Sequence, residues 1–154
     1  MKAIVIGCDS AGVALKSVIT KYLQEIGVDI EDVGVNDPSD ETIYPEVAKK
    51  VVDQIKTSDF KKDGILICGT GLGMAITANK FKGIYAGVCH DAYSAERLRL
   101  SNNGNILCMG ARVIGPELAK KIVCEWIGLE FKDGRSTAKV KKIMEYERDN
   151  FIRA

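Results

Sequence analysis

The sequence has almost no charge imbalance. Its 154 residues carry 22 Lys+Arg against 21 Asp+Glu, a formal net charge of +1. That balance gives no electrostatic reason to expect nucleic acid or a lipid surface as a partner. No apolar run approaches the length needed to cross a bilayer. No secretory leader is expected either, since Met1-Lys2 leads directly into a short apolar run that stops at Gly7. Cys-x-x-Cys does not occur, so there is no local zinc signature and no metal is expected. Histidine is nearly absent, with His90 the single one. No Gly-Lys-Ser/Thr follows a glycine-rich loop, which excludes a P-loop, and no glycine fingerprint has an acidic ribose ligand in the expected place. Without repeats, low-complexity segments or a linker, the chain is expected to form one domain over 1–154.

What is present is an ordinary globular balance, 46% hydrophobic and 28% charged, with five cysteines: Cys8, Cys68, Cys89, Cys108 and Cys124. An odd number without a regular framework argues for a reducing, cytoplasmic setting. Short apolar runs alternate with amphipathic stretches. "KAIVIGC", "VDIEDVGV", "DGILIC", "GIYAGVC" and "NILCMG" read as strands. Helices are expected between them, one stopped by Gly27 and one started at Pro45, and a last helix over 136–152 follows the fifth. Strict alternation predicts a parallel sheet covered on both faces, doubly wound, in the order 2-1-3-4-5. The last helix carries Val140, Ile143, Met144 and Phe151 on one side. It packs either on a partner subunit or on its own sheet.

In such a sheet, ligands bind outside the carboxyl ends of the strands. Strand 1 ends in Cys8-Asp9-Ser10 and strand 3 in Cys68-Gly69-Thr70-Gly71, and the two strands would be neighbours at the switch point. Asp9 and Cys68 are thereby expected in one crevice. "GTGLG", running into a helix, offers free backbone amides to an anion, a phosphate or an enediolate oxygen. A thiolate at Cys68 beside such a cradle is able to remove a proton next to a carbonyl. The plainer alternative is that Cys68 and the other four cysteines are small buried hydrophobes. Four of the five are read as ending strands, which also leaves a clustered metal site conceivable, although the local spacing is wrong. Arg135 and Lys139, four residues apart, either clamp a phosphate or form a solvated basic face.

"GCDSAG", "YPEVA", "ILICGTGLGMAITANK", "GVCHDAYSA", "MGARVIGPELAKKIV" and "DGRSTAKV" occur in the order found in the ribose-5-phosphate isomerase B and galactose-6-phosphate isomerase family, which the sequence resembles over nearly its whole length. The resemblance implies a flavodoxin-like fold. It implies homodimers or tetramers with sites shared between subunits. It also implies interconversion of aldose and ketose phosphates through a cis-enediolate, with no metal or cofactor. By position, Cys68 resembles the base that moves a proton between C1 and C2. Thr70 resembles the hydroxyl that assists at the oxygens. The Gly71–Met74 amides, with Gly69 and Gly73 in the same loop, resemble the oxyanion cradle. Met74 stands where another branch of the family has Glu as its base. Asp9, Ser10, Ser101 and Asn102 fall at sugar contacts, and Arg112, Arg135 and Lys139 at phosphate contacts, with Lys139 where a second arginine is usual. The resemblance also puts the 136–152 helix at the subunit interface.

Three imidazoles of the family pattern are hydroxyls here. CDHAG has become Cys8-Asp9-Ser10, the HN pair whose His opens a furanose ring has become Ser101-Asn102, and GRH has become Gly134-Arg135-Ser136. Serine does not act as an acid near neutral pH as histidine does. The expectation is a sugar-phosphate isomerase with an intact proton-transfer pair and altered ring opening. The alternatives are a subunit that borrows its His from a paralogous chain, and a non-catalytic phosphosugar-binding module.

Overall fold

The computed structural model of the protein describes residues 1–151. One parallel sheet carries the fold. β1 (Ile4–Cys8), β3 (Asp63–Cys68) and β5 (Ile106–Gly110) are buried along their whole length. β2 (Ile30–Asp32) and β4 (Ala86–Val88) are three residues each and only partly buried. This is the flavodoxin-like α/β class expected, but the order is β2-β1-β3-β5-β4, so the last two strands exchange places relative to 2-1-3-4-5. Burial explains the exchange. β5 is a continuous apolar run, Ile106 to Met109, whose side chains reach 0% exposure, and it needs a neighbour on each side. β4 is interrupted by Gly87 and tolerates the edge. Cys108 accordingly lies inside β5 rather than at its end.

Six helices cover the sheet: α1 (Val13–Glu25), α2 (Tyr44–Thr57), α3 (Leu72–Ala78), α4 (Ala92–Leu100), α5 (Pro116–Trp126) and α6 (Thr137–Phe151). α2 packs with α3, whereas α5 packs with α1 and α4. Chain segments leaving β1 and β3 therefore go to opposite faces, which opens the crevice between them at the carboxyl end of the sheet. Gly27, at φ +76°, ends α1 as expected. No helix among the described residues is long and apolar enough to cross a membrane.

Two ion pairs tie helices to the two ends of the sheet, one partly exposed and one buried. Lys16 on α1 is 3% exposed, and its ammonium donates to Asp32 at the end of β2 (2.7 and 2.9 Å) and to Asn36 (2.7 Å). At the opposite end, Arg99 on α4 pairs with Asp63 at the start of β3 and stacks over Trp126 at 5.2 Å. Removing one partner of a buried pair such as Arg99–Asp63 typically costs about 3–5 kcal/mol. The second pair anchors the end of α4, and with it Ser101.

α6 is held by its own chain, through one buried side chain and one acidic contact. Val140 is buried, and Glu147 accepts from the Gly83 amide (2.7 Å) and the Tyr85 hydroxyl (2.9 Å), so the helix is fastened to its own chain. Ile143, Met144, Tyr146 and Phe151 stay exposed. Residue 152, the last of the expected 136–152 helix, lies outside the described residues.

Candidate active site

The parallel register aligns the crevice. Cys8 pairs with Ile67 and Cys68 with Gly110, so Asp9, Cys68 and Gly110 follow one another across the carboxyl ends of β1, β3 and β5. Asp9 and Cys68 therefore meet at the switch point, as the sequence predicts. Asp9 is half-buried, and one carboxylate oxygen accepts from the Ala11 amide at 3.0 Å, opening the turn that contains Ser10. The other oxygen has no protein donor among the described contacts.

Cys68 is 5% exposed, and its sulfur accepts the Gly71 N–H at 3.0 Å. A hydrogen bond from an amide is accepted more strongly by a thiolate than by a thiol. The loop closes this way because Gly71 sits at φ +78°, a conformation that costs glycine little and other residues much. Thr70 is exposed at the loop tip, and its Oγ1 accepts the Leu72 N–H at 3.3 Å. The first helical bond of α3 runs from Ala75 N–H to the Gly71 carbonyl at 3.1 Å. The N–H groups of Gly73 and Met74 therefore have no intrahelical acceptor. Two of the four amides expected as a cradle are thus committed to Cys68 and Thr70, and two remain for a ligand. Met74 is buried whole, backbone included, so of these two amides only that of Gly73 belongs to a partly exposed residue.

The remaining cysteines do not share this environment. Burial pushes the Cys8 thiol up to about 12 and the Cys89 thiol up to about 11. It holds the wholly buried Cys108 well above its ordinary value. These three stay protonated at neutral pH and act as small hydrophobes. Among the described residues, no group of three or more His, Cys, Asp or Glu is placed to hold a metal ion.

Two neighbours have contacts here that the sequence did not assign to them. A Cβ on Gly73 would stand 2.5 Å from the Tyr44 ring, so that exposed aromatic forms a wall over the cradle. Only its place before Pro45 hinted at it, and nothing in the local pattern ties it to a loop 29 residues on. The second is His90, whose Nε2 accepts the Gly110 N–H at 2.9 Å. Arg112 stands at the same crevice, within its own chain. Its guanidinium lies over Gly69, 3.4 Å from where a Cβ would be.

Ser101, Asn102, Arg135 and Lys139 are not brought to this crevice. Ser101 caps the end of α4, and the Asn105 carbonyl accepts from Gly64 N–H at the amino end of β3. Four residues of β3 separate Gly64 from Cys68, on the order of 13 Å along the sheet. The segment carrying Arg135 and Lys139 lies between two anchors at that same amino end. These are the 128–131 loop, which shares a cleft with Met1, Lys2, Asp63 and Arg99, and the Glu147 bond to Gly83. Both cations are exposed, and neither they nor Arg112 pair with a carboxylate among the described residues. The candidate residues thus fall into two half-sites, with Asp9, Cys68, Thr70 and Arg112 at one end of the sheet and Ser101, Asn102, Arg135 and Lys139 at the other.

A crevice with a thiol under an amide, a hydroxyl beside it and amides without an intrahelical acceptor above is the equipment of an enzyme that moves a proton through an enediolate. The family model described as Ribose/Galactose Isomerase matches residues 4–143. D-erythrulose-4-phosphate isomerase of Pectobacterium atrosepticum is 50% identical over 96% of this chain and 96% of that protein. Ribose-5-phosphate isomerase B of Escherichia coli is 44% identical over 96% and 97%. Among solved structures, ribose-5-phosphate isomerase B of Mycoplasma genitalium with bound ribulose-5-phosphate superposes with a TM-score of 0.90 at 34% identity, over 96% of this chain and 97% of that one. The chain belongs to the ribose/galactose isomerase family. It is an aldose–ketose isomerase of sugar phosphates, and thus an intramolecular oxidoreductase.

Proposed function

We propose that Cys68 is the base and Thr70 the oxygen-side acid–base group, and that the substrate is an acyclic four-carbon sugar 4-phosphate. The observation that carries the chemistry is the Gly71 N–H aimed at the Cys68 sulfur, beside two amides that have no intrahelical acceptor. The Cys68 thiolate takes the proton from C2 of the aldose, and the electron pair moves into an enediolate. The Gly73 and Met74 amides stabilise the developing oxyanion. Thr70 passes a proton between O1 and O2, and Cys68 returns its proton to C1, giving the ketose. No oxidant or metal enters the balance. Asp9 and Ser10 orient the hydroxyls. Arg112, Arg135 and Lys139 take the phosphate, and their lack of carboxylate partners supports that role.

The substrate length follows from Ser101. An isomerase that accepts a furanose needs a group to open the ring, and a serine hydroxyl supplies no acid near neutral pH. A four-carbon sugar with phosphate on O4 has no hydroxyl left to close a five-membered ring, so it needs no such group. The relative from P. atrosepticum is named for D-erythrulose 4-phosphate. The second reading, ribose 5-phosphate, is favoured by the E. coli relative. Galactose 6-phosphate, the other substrate type of the resemblance, has a ring to open as well.

A site divided between the two ends of one sheet is completed by a second copy whose amino end faces the crevice, in a homodimer or tetramer, or by a paralogous subunit. The apolar side chains left exposed on α6, with Leu72 and Ile76 on α3 and Ile43 and Tyr44 beside it, suit such an interface. The chain is read as one domain, 1–154, with the C-terminal helix at that interface. Five unpaired cysteines fit a cytoplasmic setting.

The test is turnover by the purified oligomer, of known mass, of erythrulose 4-phosphate against ribulose 5-phosphate, together with solvent-proton exchange at C2 in Cys68→Ala. A preference for the four-carbon substrate and a loss of roughly 10²–10⁴-fold in exchange are expected. Wild-type exchange in Cys68→Ala removes the base, and a preference for the five-carbon sugar removes the substrate reading.

A further inference from the structure

We infer that His90 is a positioning residue for the isomerising loop, holding it through the peptide of Gly110. β4 stops at Val88 while β5 runs on to Gly110. The ladder continues one step further, with Cys89 N–H donating to the Cys108 carbonyl at 3.1 Å. In a parallel pair the next donor on β5 needs a carbonyl from β4. No strand is left to supply it, and the Nε2 of His90 takes that place at 2.9 Å. A ring nitrogen that accepts carries no proton, so the imidazole is the neutral tautomer with its proton on Nδ1.

Gly110 is the point from which the loop is held. It is the register partner of Cys68. The next two amides, of Ala111 and Arg112, donate to the carbonyls of Cys68 (2.8 Å) and Gly69 (3.0 Å). A Cβ on Gly110 would stand 2.7 Å from the Thr70 α-carbon, so the two backbones lie in direct contact. One side-chain acceptor thus fixes the peptide against which Cys68, Gly69 and Thr70 are all registered. Without it, the buried Gly110 N–H has no partner, and an unpaired buried amide is costly enough to make the chain move. Most of the groups proposed to hold the sugar, Arg135, Lys139 and Asp9, do not hang on this peptide, so the loss falls mainly on the chemical step and not on affinity.

The inference rests on the roles proposed for Cys68 and Thr70, and the experiment separates the two. His90→Ala removes the acceptor. His90→Gln restores one, because its amide oxygen lies three bonds from Cβ, as Nε2 does. We expect His90→Ala to lower kcat roughly ten- to a hundredfold, the size of effect a misplacement near 1 Å produces. KM for the phosphosugar should stay within about twofold, and His90→Gln should recover most of the rate. Wild-type kcat in His90→Ala, a loss that falls on KM instead, or a Gln variant as slow as the Ala variant each overturns the inference. Nitrogen NMR of the wild-type imidazole keeps the question open to refutation even where a variant fails to fold. Protonated Nδ1 with bare Nε2 is expected, and the reverse tautomer overturns the contact. That spectrum does not depend on Cys68, and C2 exchange in Cys68→Ala does not depend on His90, so failure of one reading is told apart from failure of the other.

Discussion

Gly110→Ala places a single methyl group between the two strands of the mechanism. The φ of Gly110 lies outside the left-handed region, so alanine is compatible with its backbone. The effect is therefore one of contact. The new Cβ would stand 2.7, 2.8 and 2.9 Å from the α-carbon, carbonyl carbon and oxygen of Thr70, all of them backbone atoms that cannot rotate away. Ordinary contact begins near 3.4 Å, so the Thr70 peptide has to retreat by roughly 0.7 Å. Overpacking of this kind costs about 1–3 kcal/mol, of which the lower chain entropy of alanine in the unfolded state returns about 0.4–1 kcal/mol. The fold is expected to survive with a lowered Tm. A shift approaching 1 Å in a catalytic hydroxyl is expected to cost up to about a hundredfold in kcat. Gly115→Ala is the control, since a Cβ there meets nothing within 4 Å, and it should leave kcat unchanged. The assay is kcat and KM with the four-carbon substrate, alongside thermal unfolding. A folded Gly110→Ala enzyme with wild-type kcat would refute the claim that the placement of Thr70 governs the rate.

Three further substitutions probe the other half-site. Ser101→His should raise turnover of a furanose phosphate while leaving an acyclic four-carbon substrate unaffected, measured as kcat/KM on both, and equal gains on both would sink the ring-opening argument. Lys139→Arg should lower KM for phosphorylated sugars by a few-fold, since a planar fork replaces a point charge, whereas Arg135→Ala should raise it. An unchanged KM in Arg135→Ala would remove the proposed phosphate contact.

The sequence carried the proton-transfer half of the site because that half is local. Cys68, Thr70 and the glycines lie within six residues of one another, and the end of a buried strand followed by a helix start fixes where they face. Asp9 was placed beside Cys68 by one topological rule, the reversal between β1 and β3. The order of β4 and β5 was not legible from alternation alone, since both orders allow right-handed crossovers. The difference lay in burial, with "ILCM" apolar throughout and "AGV" split by a glycine, a signal of edge against centre that periodicity does not weigh. His90 escaped for the same reason. Its role depends on β4 being the edge strand and ending two residues before β5 does, which is a property of the register and not of the residue. Tyr44 escaped because its partner is a glycine, and a surface made by the absence of a side chain leaves no pattern.

The three missing imidazoles are divided between the half-sites. Ser10 stands at the carboxyl end beside Asp9, and Ser101 and Ser136 belong to segments anchored at the amino end. A lesion that merely disabled the enzyme would have no reason to spare one set of residues in both halves. Yet Cys68, Thr70 and Arg112 are kept, with the Gly71 contact to the Cys68 sulfur, while the changes fall at Ser10, Ser101 and Ser136 and, at one expected phosphate contact, at Lys139. On the roles proposed above, loss of the ring-opening imidazole fits a substrate that has no ring to open. A tetrose 4-phosphate reaches the thiolate already open, so its carbonyl meets Cys68 and the amides without any prior step. Hydroxyls at 10, 101 and 136 then leave smaller, uncharged walls around a shorter chain. On the proposed roles, the same division predicts that turnover depends on assembly, because neither half-site alone holds both Cys68 and the cations of α6 and the loop before it.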